Sequence, residues 1–432
     1  MFDGLLAALG LILGEQGRSV PAWSTFGALA VLAVWQIALA LHSGGGPGRA
    51  FRIESFFRPT HYVQGVLQGL IYVYVSLYWG EILPYAPLLL VQALVGYLCD
   101  IQLAWSRGRN ARVGLGIIPV ILSTNLFTWF HEEYFYCQLL MVALAFFSKE
   151  FLTWTIAGRR RHIFNPSAFP LAVVSLILLV SGEETMTRGV DLVGAFELPP
   201  NFYEVIFLLG LVTQALFLTT PVSLGAVATL SLWFGLSILA FGEPLSEAPI
   251  AAQVFLGLTF LVTDPATTPR SGLGRLLFGL AYGTGVFATY VLLRWLGKPA
   301  YFDKLLVVPL LNLTVPLFDR FCDRLERGWF SFVGQTPAWV GRFGWLALYI
   351  LLFAAVDPLL KAPRTRKLTV LPPVRAKISV AQTRLVANRI YCRTVFPEAF
   401  EPFGLRTEFA NLSAIRSIYR GRPPARTATA GN

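Results

Sequence analysis

Charge is what this chain has least of. Asp, Glu, Lys and Arg make up only 14% of its 432 residues, where a soluble domain carries about a quarter. With 55% hydrophobic residues and a mean hydropathy of +0.60, that scarcity excludes an ordinary soluble enzyme. Cysteine is sparse as well. Cys99, Cys137, Cys322 and Cys392 are scattered and form no Cys-x-x-Cys, so neither a zinc ribbon nor a four-cysteine iron–sulfur site is written locally. The four histidines, His42, His61, His131 and His162, are far apart in the chain, and His131-Glu132-Glu133 lacks a second histidine at metalloprotease spacing. No metal site is expected. Gly272-Leu273-Gly274 has no βαβ unit around it, which rules out a dinucleotide fold, and no serine-centred nucleophile elbow occurs. The N-terminus, MFDGLLAALGLILG, has no basic n-region, so it reads as a short surface helix rather than a cleaved signal. Alternating segments of about ten residues, the mark of an outer-membrane barrel, are also missing.

Long apolar runs are what the chain does have. They fall at 22–42, 62–79, 84–104, 113–130, 135–156, 167–181, 203–219, 222–241, 249–263, 274–296, 304–318 and 338–358. A run of about 20 apolar residues crosses a hydrocarbon core of about 30 Å. The pattern predicts an all-α, polytopic transmembrane helical bundle of about 10–12 spans, multi-pass in the inner (cytoplasmic) membrane. The segment 249–263 is short enough to be a half-helix.

Loop charge orients the bundle. The loops at 43–61, 105–112 and 157–162 carry arginines, whereas 183–204 carries Glu183, Glu184, Asp191, Glu197 and Glu204. Basic loops face the cytoplasm, which puts the N-terminus outside. The net charge of +11 belongs to those loops and to the tail, so nucleic acid is not expected as a partner and membrane lipid is. Four regions result: an N-terminal segment 1–21, a membrane domain 22–325, an extra membrane helix 326–358, and a basic, partly disordered tail 359–432.

Two polar, proline-broken turns interrupt the apolar pattern: GRRRHIFNPSAFP at 158–170 and LVTDPATTPRSGLG at 261–274. In lipid, such backbone survives only where protein or water satisfies it, and paired interruptions point to a central site. Asn165 with Pro166 reads either as a capped helix start or as a helix N-terminus aimed at an anionic group, with Arg161, His162 and Ser167 beside it. Asp264 is a carboxylate at the margin of a membrane helix, costly unless paired or wet. Its bland reading is an ion pair with Arg270 or Arg275. Thr263, Thr267 and Thr268 supply hydroxyls for a ligand or for helix caps. Gln64 and Gln68, at i and i+4, read as helix–helix glue. Thr219-Thr220-Pro221 reads as a cavity-lining turn or a tight hairpin.

RHIFNPSAF, FLVTDPATTPRSGLGRLLFG and LLNLTVPLFDRF resemble, in order, three landmarks of the RnfD/NqrB family, which holds the D component of the Rnf electron-transport complex and the B component of the sodium-translocating NADH:quinone reductase. The resemblance covers roughly residues 22 to 325. It implies two inverted halves with an architecture like that of urea transporters, membrane electron transport coupled to ion movement, and other membrane or redox subunits as partners. It also implies FMN joined to the Thr of a Ser-Gly-Ala-Thr motif. Here that place reads Ser181-Gly182-Glu183-Glu184-Thr185-Met186-Thr187, and two glutamates would repel a phosphate. Covalent FMN is therefore not expected. A flavin bound without a covalent link, FMN or riboflavin, remains the cofactor the resemblance implies, with Arg161, His162, Asn165, Ser167, Thr263, Asp264, Thr267 and Thr268 as its candidate contacts. The alternatives are a channel or transporter for a small solute or ion on the same scaffold, or a membrane accessory protein of natural-product biosynthesis.

Overall fold

The computed structural model describes residues 2–43, 51–156, 158–246, 248–328 and 338–361, all within one compact unit, Met1–Val374. Most of the predicted tail at 359–432, including Cys392, lies outside the described residues. The described chain is all-α apart from two short strand pairs, the first of them β1 (Ile53–Ser55) alongside a parallel β2 (Ala111–Val113). Six helices have the length and apolar composition to cross a membrane: Ser19–His42, Ile82–Ser106, Thr220–Phe241, Gly272–Trp295, Ala300–Leu325 and Gly341–Lys361.

In chain order, α1 (Phe2–Glu15) folds back on α2 (Ser19–Ser43) and α4 (Ile82–Ser106). α3 (Pro59–Ser76) opens on a proline at a position where the missing N–H costs nothing. α5 (Ile118–Asn125) is only eight residues long, about 12 Å of rise. α6 (Phe135–Phe151) and α7 (Ala168–Ser181) follow, then the short α8 (Gly189–Ala195). α9 (Phe202–Phe217), α10 (Thr220–Phe241), the nine-residue α11 (Ala252–Phe260), α12 (Gly272–Trp295), α13 (Asp303–Gly328) and α14 (Ala338–Lys361) complete the chain. α3 packs on α5 and α9, and α9 on α11; α4 packs on α6, and α10 on α12; α6 packs on α7, α12 on α13, and α7 on α13.

Two expectations need correction. The apolar run 113–130 is not a span: its helix stops at Asn125, and residues 126–130 continue as coil. Side chains from elsewhere satisfy that coil, as Tyr85 donates to the Phe130 carbonyl and Gln138 to that of Thr128, 3.4 Å away. The run 135–156 ends early too. Its last residues form strand β3 (Thr153–Ile156), paired antiparallel with β4 (Arg159–His162) across a turn in which Gly158 has φ +72°. The run 249–263, short enough for a half-helix unless it lengthens into its flanks, does not lengthen: it holds the nine-residue α11.

α10 and α12 pack backbone to backbone. A Cβ on Gly279 would lie 2.0 Å from the Val222 carbonyl oxygen, and one on Gly225 would lie 2.5 Å from that of Leu276. Small residues at such a seam let membrane helices approach closely. α9 and α10 meet in a tight hairpin at the Thr219-Thr220-Pro221 turn. Leu218 turns the chain at φ +60°, and the Thr219 amide closes on the Gln214 carbonyl at 3.0 Å. α14 lies on α9 and α10 and buries Tyr349, Phe353, Val356 and Leu360. Phe353 stacks on Phe207 at 3.9 Å.

The ends of the bundle differ in charge. At one end α4 and α6 finish among Arg107, Arg109 and Arg160. At the other, Arg18 pairs with Glu132 at 2.5 Å, Lys298 with Glu184 at 2.6 Å, and Arg188 with Glu81 and Asp191. Burial works against the Arg188 guanidinium, but its two carboxylates outweigh that and raise its pKa. Lys361, at the end of α14, reaches Glu204 at the start of α9 on this acidic-loop side.

Candidate functional site

The Asn165 and Asp264 turns, 99 residues apart in sequence, meet at the basic end of the bundle. α11 ends at Phe260 and delivers the Asp264 turn beside the start of α7. There His162 Nε2 lies 3.2 Å from Asp264 Oδ2, and Asn165 Nδ2 donates to the Leu261 carbonyl at 2.8 Å. Proximity therefore comes from where α7 begins and α11 ends. Both turns sit on one side, as the loop charges predict.

A third segment locks them together. Asn312, fully buried in α13, accepts the Asn165 amide through Oδ1 at 3.1 Å and donates through Nδ2 to the Thr267 carbonyl at 3.1 Å. One carboxamide thus spans both turns. Further along the same helix, Asp319 takes the Arg270 amide at 2.9 Å and pairs with its guanidinium at 3.7 Å. The three sequence landmarks converge on a single hydrogen-bonded knot.

The expected Asp264–Arg270 or Asp264–Arg275 ion pair is not what forms. Arg270 goes to Asp319, and Arg275 donates to the Pro269 and Leu218 carbonyls at 2.9 and 2.6 Å. Asp264 takes His162 instead, along with the Ala266 amide at 3.0 Å and the Thr267 hydroxyl at 3.3 Å. Burial opposes its ionisation. The His162 ring, the amide and the hydroxyl outweigh burial and hold the carboxyl below its usual range.

The remaining candidates divide. Asn165 Oδ1 accepts the Ser167 and Ala168 amides at 2.8 and 3.1 Å, so the first-turn donors of α7 are satisfied within the chain. Ser167 Oγ reaches the Val120 carbonyl at 3.3 Å. Thr263 bonds back to the Thr259 carbonyl at 2.6 Å. The Thr268 hydroxyl is buried with no partner. Arg161 lies opposite Trp154 in the β3–β4 hairpin, next to His162 in sequence. Sequence reasoning missed Asn312. Its signal was present, since a carboxamide in the proline-bearing apolar run LLNLTVP is costly in a membrane unless it has work to do.

A second polar region fills the interior around α5. Gln92 and Asn125 exchange bonds of 3.2 and 2.7 Å, and Gln138 reaches Asn125 at 3.2 Å. Gln68 donates to Ser123 at 2.7 Å, which bears out its reading as glue between helices. Gln253 and Tyr282 are buried, and neither Gln253 Oε1 nor the Tyr282 hydroxyl has a partner. A Cβ on Gly257 of α11 would lie 3.3 Å from that hydroxyl and 3.5 Å from the Phe127 ring. Among the described residues no cluster of three or more metal-ligating side chains occurs.

Comparison with known proteins matches residues 204–328 to the NQR2, RnfD, RnfE family. Over 129 residues the chain is 37% identical to the D component of an ion-translocating oxidoreductase complex from Pseudomonas aeruginosa, covering 28% of this chain and 36% of the relative. The same figures hold for the Pseudomonas paraeruginosa protein of that name. The corresponding Stutzerimonas stutzeri protein is 41% identical over 69 residues, 16% of this chain and 18% of that one. The chain aligns with about a third of the length of the first two relatives. The matched stretch holds α9 to α13, and with them Asp264, Asn312 and Asp319. The Asn165 turn lies before it.

Proposed function

Taking the chain as an NQR2, RnfD, RnfE family member through residues 204–328, we propose that it is the D-type membrane component of an ion-translocating oxidoreductase complex. It would sit in the inner membrane beside other membrane and redox subunits. The observation that carries this reading is the knot. Residues matched to the family, Asp264 and Asn312, hold His162 at the end of β4 and the Asn165 turn before α7, both outside the match, at 3.2 and 3.1 Å. The family resemblance of the Asn-Pro segment and the family match of the Asp-Pro segment thus describe one site.

Two inverted halves are part of the proposal. The packing of α3, α4, α5, α6 and α7 among themselves parallels that of α9, α10, α11, α12 and α13, and the sets touch through α3 with α9 and α7 with α13. α3 begins at a basic loop and α9 at an acidic one.

A flavin, when bound, would supply one-electron and two-electron redox chemistry. Covalent attachment fits poorly here. Thr187 is buried, its hydroxyl bonded to the Glu184 carbonyl and 3.2 Å from the Tyr301 hydroxyl, and Thr185 follows Glu183 and Glu184 directly. Around the knot, the α7 amides are already taken and Asp264 is an anion, so a phosphate is disfavoured. The unpartnered Thr268 hydroxyl and the Ser167 hydroxyl suit the neutral ring edge or ribityl chain of a flavin bound without a covalent link.

The second reading, passage of an ion or small solute on the same scaffold, draws on the unpartnered Gln253 and Tyr282 oxygens between α11 and the 126–130 coil. One experiment separates the two. The detergent-purified chain is examined for a flavin absorption band, and its reconstituted vesicles for ion uptake without an electron donor. A flavin band without donor-independent uptake supports the electron-transport reading. Uptake by a colourless protein overturns it.

A further inference from the structure

Three guanidiniums converge on one carboxylate at the basic end of α4 and α6. Glu150 meets Arg109, Arg160 at 3.4 Å and Arg107 at 3.6 Å. Arg160 also donates to the Glu150 carbonyl and to Thr153 Oγ1 at 3.0 Å, so the hairpin is pinned over the end of α6. Neighbouring acids are engaged elsewhere: Asp100 pairs with Lys149 at 2.9 Å, and Asn110 donates to Glu54 at 3.0 Å. Among the described residues, Glu150 is the carboxylate that all three arginines share. It neutralises one of three charges. The side chains of Arg107, Arg109 and Arg160 remain 38, 47 and 33% exposed.

An apolar stripe leads up to this cluster. Leu140, Phe147 and Phe151 of α6 are exposed and, at i, i+7 and i+11, share one helix face. Phe147 stacks on Phe151 at 4.8 Å, and the Arg107 guanidinium lies over the Phe151 ring at 5.2 Å. An apolar track capped by unneutralised arginines has the shape and polarity of a lipid turned inside out.

We propose that this corner is a binding site for an anionic phospholipid, with the headgroup phosphate between Arg107 and Arg109 and an acyl chain along Leu140, Phe147 and Phe151. Arginine forks suit phosphate oxygens, and basic residues at a membrane surface select anionic lipid. An acidic protein segment would satisfy the charges but leave the stripe uncovered.

Native mass spectrometry of the full chain tests this, with phosphatidylglycerol and phosphatidylcholine added separately to delipidated protein. Phosphatidylglycerol should bind selectively. The double variant Arg107→Gln/Arg109→Gln should weaken it by about thirtyfold, and Arg107→Gln alone by about fivefold, at roughly 1 kcal/mol per basic residue. The single variant serves if the double one does not fold. Glu150→Gln removes the competing carboxylate and should keep or tighten binding. Any of the following would overturn the proposal: equal binding of both lipids, variants that bind like wild type, or loss of a co-purifying acidic protein from the variants while phosphatidylglycerol binding persists. Displacement by millimolar inorganic phosphate would overturn it in favour of a free-anion site.

Discussion

The short helices α5 and α11 run out into turns with threonines at matching places: Thr124 in the last turn of one and Thr128 just past it, Thr259 in the last turn of the other and Thr263 just past it. Thr124 and Thr259 both bond back to the carbonyl four residues earlier, at 2.8 and 2.7 Å. One residue past the second threonine, the two diverge. After α5 comes Trp129, fully buried between Tyr85 at 4.1 Å and Trp79 at 5.5 Å. After α11 comes Asp264, partly exposed and bonded to His162. One turn is sealed by aromatic packing and the other is held by polar bonds. Removing a side chain should therefore harm folding most at the first and activity most at the second.

The largest stability loss is expected for Trp129→Ala, about 3–5 kcal/mol as for buried aromatic truncation. Trp129→Phe should keep the stack and lose far less. Thermal unfolding in detergent checks both, and equal losses would show that the stack is not what seals the turn. Asn312→Ala comes next. It strands the Asn165 amide and the Thr267 carbonyl in the interior, at about 1–3 kcal/mol for each group. Loss of both contacts should also release the Asp264 turn, so the proposed electron transfer should fall together with the melting temperature.

Asp264→Asn sharpens the contrast. Activity should be abolished in a protein that melts near wild type. A variant that melts far lower, or one both stable and active, returns Asp264 to a structural role. The pH dependence has a fixed sign. The folded-state pKa of Asp264 is depressed below 3.8, so its stabilising contribution is complete above that value and fades as pH falls through the lowered one. Any stability gap between wild type and Asp264→Asn should close in strong acid and stay constant from about pH 5 upward. The smallest effect is predicted at the acidic-loop side. Thr185→Ala and Thr187→Ala should leave in-gel flavin fluorescence of the denatured protein unchanged, because none is expected. A band that vanishes in either variant would show that the loop does carry FMN.

Much of this was legible in the chain. Apolar length located α2, α4, α7, α10 and α12 because a membrane helix must satisfy its own backbone. The same rule misled at 113–130. Phe127, Trp129 and Phe130 are as apolar as helix residues, but their segment is coil, paid for by Tyr85, Gln138 and other side chains that no local pattern reveals. The hairpin was hidden for the opposite reason. Thr153-Trp154-Thr155-Ile156 is a β-prone run, yet it continued an apolar stretch and read as more helix. Both polar turns were found, because charge combined with a proline-broken polar stretch stands out between apolar runs. Their partners were not. Nearness in sequence suggested Arg270 or Arg275 for Asp264, whereas the fold brings His162 from 102 residues away. Asn312 needed all three segments in place before its role could be seen.

The seam between α10 and α12 bears on how such a protein moves. Two helices that approach this closely at Gly225 and Gly279 leave no room for a Cβ on either glycine. They act as a fixed mast. The short helices α5 and α11 have no such backbone seam: the segments that follow them are anchored by side chains, Tyr85 and Gln138 on one and His162 and Asn165 on the other. A bulky residue at Gly279 would unseat the mast, and every element that takes its bearings from it would lose its reference point.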